Sequence, residues 1–178
     1  MTLVVASLVE RGISGVSRSS RKAFASGADA VEVRLDHIIG LSVRPTLIDD
    51  AKEAVNGVTI ATYRSVGEGG RGRLTGRRRE DLLRRVVDAG FEYVDLELTQ
   101  DRALLDELAA RRGSPKTISS SHFTDPVGPA RLRSRLEKAC ACADIGKVAA
   151  PCENAGQAIR AAGVGLEFKR RRKSFTLM

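Results

Sequence analysis

Apolar residues along the chain form short runs typical of strands, which alternate with longer stretches of helical spacing. The short runs predict six strands, over residues 2–8, 30–38, 58–65, 92–98, 116–122 and 144–150. Between and after them, apolar residues recur at the three- and four-residue intervals of an amphipathic helix. This spacing predicts six helices, over residues 15–26, 45–56, 79–89, 101–112, 129–142 and 153–162.

Regular alternation of strands and helices implies parallel strands joined by helical crossovers. Two architectures compete, an open doubly wound sheet and a closed (β/α)₈ barrel, and both bind ligands at the carboxyl ends of the strands. Glu32 and Arg34 alternate on the second strand, so both lie on one face. Asp95 and Glu97 alternate in the same way, and Lys147 lies within the sixth strand. A sheet covered by helices on both faces favours apolar residues there, so we predict an α/β fold of the (β/α)₈ TIM-barrel type.

The length of the chain limits how much of a barrel it can build. Its 178 residues suit one domain, whereas a complete barrel of this type usually takes about 250 residues. Only about six β-α units are recognisable. We therefore predict an incomplete barrel domain over residues 1–163 and a basic C-terminal tail of uncertain structure over residues 164–178.

The net charge of +8 is unevenly distributed. Five of the thirty basic residues lie in 169–173, and a second basic stretch covers 71–79. Basic clusters can bind nucleic acid, but two Tyr, five Phe and no Trp leave no aromatic residues interleaved with them for base stacking. We favour a solvated surface, with or without steering of an anionic substrate, and predict no nucleic-acid partner. Nucleic-acid binding through the two stretches stays an alternative.

Other features bear on location and metal binding. No run of 18 or more apolar residues exists, so no membrane partner is predicted. The N-terminus has no basic residue ahead of its short apolar stretch, unlike a secretory signal. Three cysteines with no histidine nearby indicate reduced thiols rather than a disulfide framework or a metal site. The predicted location is the cytoplasm.

Lys147 is the strongest candidate for chemistry because it stands in the otherwise small and apolar run A-D-I-G-K-V-A-A. Burial disfavours the charged form of a lysine, and a neutral amine can attack a carbonyl to form a Schiff base. His122, at the end of the preceding strand, suits the general base that such a reaction needs. Arg34 and Arg64 suit an anionic or oxygen-rich ligand. An internal ion-pair network and a surface histidine are the structural alternatives.

Five segments resemble the signature segments of type I 3-dehydroquinate dehydratase, in the family's order and across residues 2–160. They read V-E-V-R-L-D-H, A-T-Y-R-S-V-G-E-G-G, Y-V-D-L-E-L, T-I-S-S-S-H-F and D-I-G-K-V-A. The resemblance implies a (β/α)₈ barrel, usually a homodimer, and a hydro-lyase that needs no metal or organic cofactor. The implied reaction converts 3-dehydroquinate to 3-dehydroshikimate in the shikimate pathway of aromatic amino acid biosynthesis.

The resemblance also implies a role for each candidate residue. Lys147 would form the Schiff base with the substrate ketone. His122 would remove a proton from the adjacent carbon and then help the hydroxyl leave as water. The implied substrate-binding residues are Ser7, Glu32, Arg34, Arg64 and Glu68.

The sequence departs from the family pattern in two places. The family's H-D-F is H-F-T-D here, which displaces the acidic residue to Asp125. The family's last two units, with an arginine that binds the substrate carboxylate, have no counterpart after residue 163. We therefore expect a truncation or a reading-frame shift near residue 163, and weak or no activity of this chain alone. The alternative is an inactive dehydratase remnant or a non-enzymatic binding protein.

Overall fold

Helices and parallel strands alternate through the parts of the chain that the computed structural model describes, residues 3–111, 115–171 and 174–178. Residue 2 of the first predicted strand, residue 112 of the fourth predicted helix and residues 172–173 of the basic tail lie outside the described residues. The chain divides into two compact units, Met1–Asp95 and Leu96–Met178.

In the first unit, parallel strands pair in chain order. Its strands are β1 (Val5–Leu8), β2 (Ala30–Arg34), β3 (Thr59–Thr62) and the first part of β4 (Tyr93–Glu97). Its helices are α1 (Ile13–Ala25), α2 (Leu47–Glu53) and α3 (Gly76–Asp88), and two short 3₁₀ turns cover Leu35–His37 and Val66–Glu68. The unit boundary falls within β4.

The register of the first unit separates apolar from polar side chains. Val31, Val33 and Val94 alternate with polar residues along their strands, and like Ala61 on the same side they are at most 1% exposed. In the other set of alternate positions, Ser7 pairs with Glu32, Arg34 pairs with Thr62, and Thr62 pairs with Asp95. Since paired residues on parallel strands point to the same side and successive residues to opposite sides, the polar residues share one face.

In the second unit, α4 (Arg102–Ala109) precedes β5 (Lys116–His122), and α5 (Pro129–Cys142) links β5 to β6 (Ile145–Ala149). The helix α6 (Ala155–Arg170) then links β6 to β7 (Phe175–Leu177), and the three strands pair in parallel. One core cluster joins β6 to the last two helices. It contains Leu132, Leu136, Val148, Val164 and Phe168.

The predicted α/β class is confirmed, and within each unit the strands follow chain order, as they do in a barrel. Two elements differ from the prediction. The sixth helix continues past residue 162 to Arg170, because Val164 and Phe168 pack into the core despite Gly163 and Gly165, which weaken the helical pattern. The predicted domain boundary at 163 therefore lies inside a helix, and the domain division itself stays a prediction.

The seventh strand, β7, was not predicted. It has three residues, too few to show an alternating pattern. Its pairing with β6 places Phe175 beside Gly146 and Thr176 beside Lys147. The ring of Phe175 lies 5.9 Å from that of Phe168, between centroids, and so connects the strand to the core.

Gly146 sets how closely α5 approaches β6, and this generates a testable prediction. A Cβ on Gly146 would lie 2.5 Å from Cys140 Sγ and 2.8 Å from the Cys140 backbone nitrogen. Gly146→Ala should therefore lower the free energy of unfolding by about 1–3 kcal/mol, as overpacking does, measured by urea denaturation.

Gly163→Ala in α6 is the matched control, because an added Cβ there would have no atom within 4 Å. This substitution should leave the stability unchanged or raise it by up to about 1 kcal/mol. Equal stabilities of the two variants would contradict the packing account.

Candidate active site

The candidate residues fall into one group in each unit, and the first group begins with Ser7, Glu32 and Thr62 on the polar face of β1–β3. The Thr62 hydroxyl donates a 2.7 Å hydrogen bond to Glu32 Oε1. Ser7 pairs with Glu32 across the strands and is exposed. Glu32 is half-buried, and the hydrogen bond from Thr62 helps to hold its carboxylate in place.

Arg34 ends β2 and is fixed by Asp36, two residues later. Arg34 donates from Nε to Asp36 Oδ1 at 2.9 Å and from Nη2 to Oδ2 at 2.8 Å. The predicted strand 30–38 ends here because the 3₁₀ turn Leu35–His37 folds the Asp36 carboxylate back against Arg34. Among the described residues, Nη1 of Arg34 has no hydrogen-bond acceptor. The guanidinium is thus oriented and keeps one donor edge for a ligand.

Asp36 also connects this arginine to the next loop. Its carboxylate accepts the backbone N–H of Arg71 at 3.0 Å and, more weakly, that of Arg64 at 3.3 Å. Burial alone would raise the pKa of Asp36, but the hydrogen bonds and charge of Arg34 and the two backbone N–H groups outweigh it, so the pKa is lowered. Sequence reasoning missed this role, for which the only signal was an acid two residues after Arg34.

His37 stays neutral beside this carboxylate. Its Nε2 lies 3.5 Å from Asp36 Oδ2. Burial is the main cause that lowers the pKa of His37, and the charges of Arg34 and Arg71 add to it, while Asp36 opposes them. The contact is therefore not an ion pair at neutral pH, in spite of the short distance.

Arg64 is buried between two carboxylates. It follows β3, donates from Nη2 to Asp95 Oδ1 at 2.8 Å, and lies 3.2 Å from Glu68 Oε2 through Nη1. The 3₁₀ turn Val66–Glu68 returns Glu68 toward Arg64, and Asp95 comes from β4. The structure thus brings together the predicted pair Arg64 and Glu68 and adds Asp95.

The glycine-rich segment after Glu68 packs against the backbone of Arg64. Gly70 donates its N–H to the Ser65 carbonyl and Gly72 to the Arg64 carbonyl, both at 2.8 Å. A Cβ on either glycine would overlap the Arg64 carbonyl. These glycines therefore serve a close backbone approach that helps to hold Arg64 in place.

The second group contains Lys147 on β6 and His122 at the end of β5. Lys147 pairs with Ser120, and His122 pairs with Ala149. Lys147 and His122 therefore share one face of the strands, opposite the core residue Val148. From ordinary strand spacing and rise, their Cβ atoms are roughly 8 Å apart. Lys147 is 9% exposed and His122 is half-buried.

The arrangement of the second group suits proton transfer next to a nucleophile. Amine and imidazole project from one face and are two residues apart along the strand direction. One small reacting group could therefore contact both side chains. The acidic residue displaced to Asp125 is exposed and accepts a 3.1 Å hydrogen bond from Thr124 Oγ1.

Within residues 3–111, 115–171 and 174–178, no three His, Cys, Asp or Glu side chains converge as metal ligands do. No helix in the described part of the chain combines the length and apolar character that crossing a membrane requires.

Comparisons with known proteins agree on one family. A sequence model described as Type I 3-dehydroquinase matches residues 4–173. The 3-dehydroquinate dehydratase of Methanosarcina acetivorans is 31% identical, over 93% of this chain and 70% of that protein. The enzyme of the same name from Methanosarcina barkeri is 32% identical, over 82% of this chain and 62% of that protein.

Solved structures show the same fold. The 3-dehydroquinate dehydratase of Enterococcus faecalis superposes with a TM-score of 0.86 at 20% identity, over 99% of this chain and 77% of that chain. The enzyme of the same name from Aquifex aeolicus superposes with a TM-score of 0.72 at 26% identity, over 93% of this chain and 74% of that chain. The fold is therefore a partial (β/α)₈ barrel.

The role of Asp36 generates a prediction about stability. Asp36→Asn should lower the free energy of unfolding at pH 7 by about 2 kcal/mol, because charged hydrogen bonds to Arg34 are lost. The pKa of Asp36 is lowered in the folded chain, so its contribution is present above the unfolded pKa and disappears as pH falls through the folded pKa. The difference in the free energy of unfolding between wild type and Asp36→Asn should thus become smaller below about pH 4.

Asp49→Asn is the matched control, since Asp49 pairs with Arg85 at 3.1 Å on an exposed surface. Such exposed pairs contribute at most about 1 kcal/mol. Urea denaturation at a series of pH values measures the free energy of unfolding of both variants. An equal loss of stability in the two variants, with the same pH dependence, would contradict the special role of Asp36.

Proposed function

Because this chain belongs to the type I 3-dehydroquinase family, we propose that it dehydrates 3-dehydroquinate to 3-dehydroshikimate through a Schiff base on Lys147. The observation that carries this proposal is the placement of buried Lys147 and half-buried His122 on one face of paired strands. The named relatives favour this hydro-lyase step of the shikimate pathway over a non-enzymatic binding role.

The proposed reaction begins when the neutral amine of Lys147 attacks the substrate ketone. Loss of water from the resulting carbinolamine gives an iminium, which withdraws electrons from the adjacent carbon. His122 removes a proton from that carbon, and the electron pair moves into the iminium to give an enamine. The enamine expels the neighbouring hydroxyl, which protonated His122 converts to water. Hydrolysis of the conjugated iminium releases the enone product and restores Lys147.

We propose that the first group of residues binds the substrate. Arg34 supports this role because Asp36 fixes its orientation and leaves Nη1 available. Arg64 is held rigidly between Glu68 and Asp95, so any donor contact it makes has a fixed direction. Pre-ordered donors bind with less loss of side-chain entropy. Ser7 and Glu32 share the polar face and suit substrate hydroxyl groups.

The same resemblance leads us to propose a homodimer located in the cytoplasm, working without a metal or organic cofactor. Light scattering coupled to size-exclusion chromatography measures the assembly state directly.

Lys147 generates the first functional prediction. Incubation of the chain with 3-dehydroquinate and borohydride should add the reduced substrate to Lys147, as peptide mass measurement would show. Lys147→Ala should abolish this adduct and lower turnover by at least about 10³-fold, as removal of a covalent nucleophile does. Lys138→Ala changes an exposed lysine of α5 and serves as the matched control. An adduct on another residue, or an undiminished adduct in Lys147→Ala, would contradict the assignment.

His122 generates a separate prediction, because its proposed role follows Schiff-base formation. His122→Ala should still form the borohydride-trapped adduct. Its turnover, followed by the absorbance of the enone product, should fall about 10²–10⁴-fold through loss of a general acid-base group. Unchanged turnover would exclude His122 as the base, and loss of the adduct itself would assign it to an earlier step.

A further inference from the structure

The two arginines proposed to bind substrate present no net positive charge in the first unit. Arg34 is matched by Asp36, and Arg64 is matched by Glu68 and Asp95. Their guanidinium groups therefore provide direction for hydrogen bonds but little long-range attraction for an anion. The proposed substrate carries a carboxylate, and any long-range attraction that this unit exerts on it therefore comes from other residues.

Four exposed arginines supply such a source: Arg71, Arg73, Arg77 and Arg78, here called the arginine patch. Among the described residues, none of the four guanidiniums has a carboxylate partner. No acidic residue occurs between positions 69 and 79. By contrast, Arg84 and Arg85 on the same helix pair with Glu80 and Asp49. The charge of the arginine patch is thus uncompensated locally.

One end of the arginine patch is attached to the substrate-binding arginines through the backbone. The N–H of Arg71 donates to Asp36 Oδ2 at 3.0 Å, the same carboxylate that orients Arg34. The N–H of Gly72 donates to the Arg64 carbonyl at 2.8 Å. The arginine patch therefore begins directly beside both arginines.

The other end is attached to Tyr63, the neighbour of Arg64. Leu74 donates its N–H to the Tyr63 hydroxyl at 3.3 Å, and Arg79 donates from Nη1 to the Tyr63 carbonyl at 3.1 Å. The Arg79 guanidinium also lies over the Tyr63 ring, 5.5 Å from its centroid. With both ends fixed, the arginine patch keeps its position relative to Arg64.

Helix stability does not explain this distribution of charge. Arg77 and Arg78 lie in the first turn of α3, where no acidic residue accompanies them. Positive side chains at a helix N-terminus oppose the helix dipole. These charges therefore stand at a local electrostatic disadvantage.

We propose that the arginine patch steers the anionic substrate toward Arg34 and Arg64. This inference rests on the proposed function, because it assumes that the two arginines receive that substrate. A set of like charges beside a binding site raises the local concentration and the association rate of an oppositely charged ligand, and salt screens the effect. Steering depends on charge and not on guanidinium geometry, so lysine should substitute for arginine.

The test measures the second-order rate constant of Schiff-base formation, by borohydride trapping at low 3-dehydroquinate concentration. The combined variant Arg73→Gln, Arg77→Gln and Arg78→Gln should react about 3- to 10-fold more slowly than wild type at about 0.01 M ionic strength, where the Debye length is about 30 Å. The difference in rate should vanish at about 1 M ionic strength, where the Debye length is about 3 Å. Substitution of the same three residues by lysine should restore the wild-type rate.

The matched control removes three equally exposed charges from α1 by Arg18→Gln, Arg21→Gln and Lys22→Gln. This control should keep most of the wild-type rate, and an equal loss of rate would show that net charge rather than placement matters.

An unchanged rate and salt dependence in the arginine-patch variant would overturn the steering proposal alone. The steering proposal would also be overturned if the lysine substitutions did not restore the wild-type rate. The same holds if the glutamine variant bound a DNA duplex more weakly while its trapping rate was unchanged. Absence of any adduct in wild type would overturn the proposed function and steering with it.

Discussion

In-register pairing of parallel strands is the constraint on which the placement of every candidate residue depends. Each strand alternates its side chains between two faces, and pairing in register aligns the faces of neighbouring strands. In the first unit this alignment collects Ser7, Glu32 and Asp95 on the polar face. In the second unit it places Lys147 opposite the core residue Val148. A shift of one residue in β6 would exchange these two side chains between the faces.

Carboxylates from two turns and from β4 then fix the arginine side chains. Asp36 holds Arg34 and two backbone N–H groups, while Glu68 and Asp95 hold Arg64. These pairs neutralise the arginines while they orient them. Orientation and long-range attraction are therefore supplied by different residues in the first unit, and the arginine patch carries the uncompensated charge.

The sequence predicts the parts of this structure that depend on long periodic patterns. Helix 129–142 matches α5, in which Leu132, Leu136 and Ala139 recur at helical spacing, and strand 116–122 matches β5. The end of α6 and the short β7 depend on tertiary contacts of Val164, Phe168 and Phe175, which local spacing does not reveal. Glu32 and Arg34 were predicted from alternation and Lys147 from its small and apolar surroundings, but the role of Asp36 was not predicted. Its function arises from a turn that brings together residues 36, 64 and 71, which are far apart along the chain.

A crystal structure of the borohydride-reduced adduct with 3-dehydroquinate tests most directly whether Lys147 and His122 act on one substrate. We expect continuous electron density from Lys147 Nζ to the former ketone carbon, with His122 against the adjacent carbon. A covalent link at another residue, or a His122 side chain remote from that adjacent carbon, would contradict the proposed site.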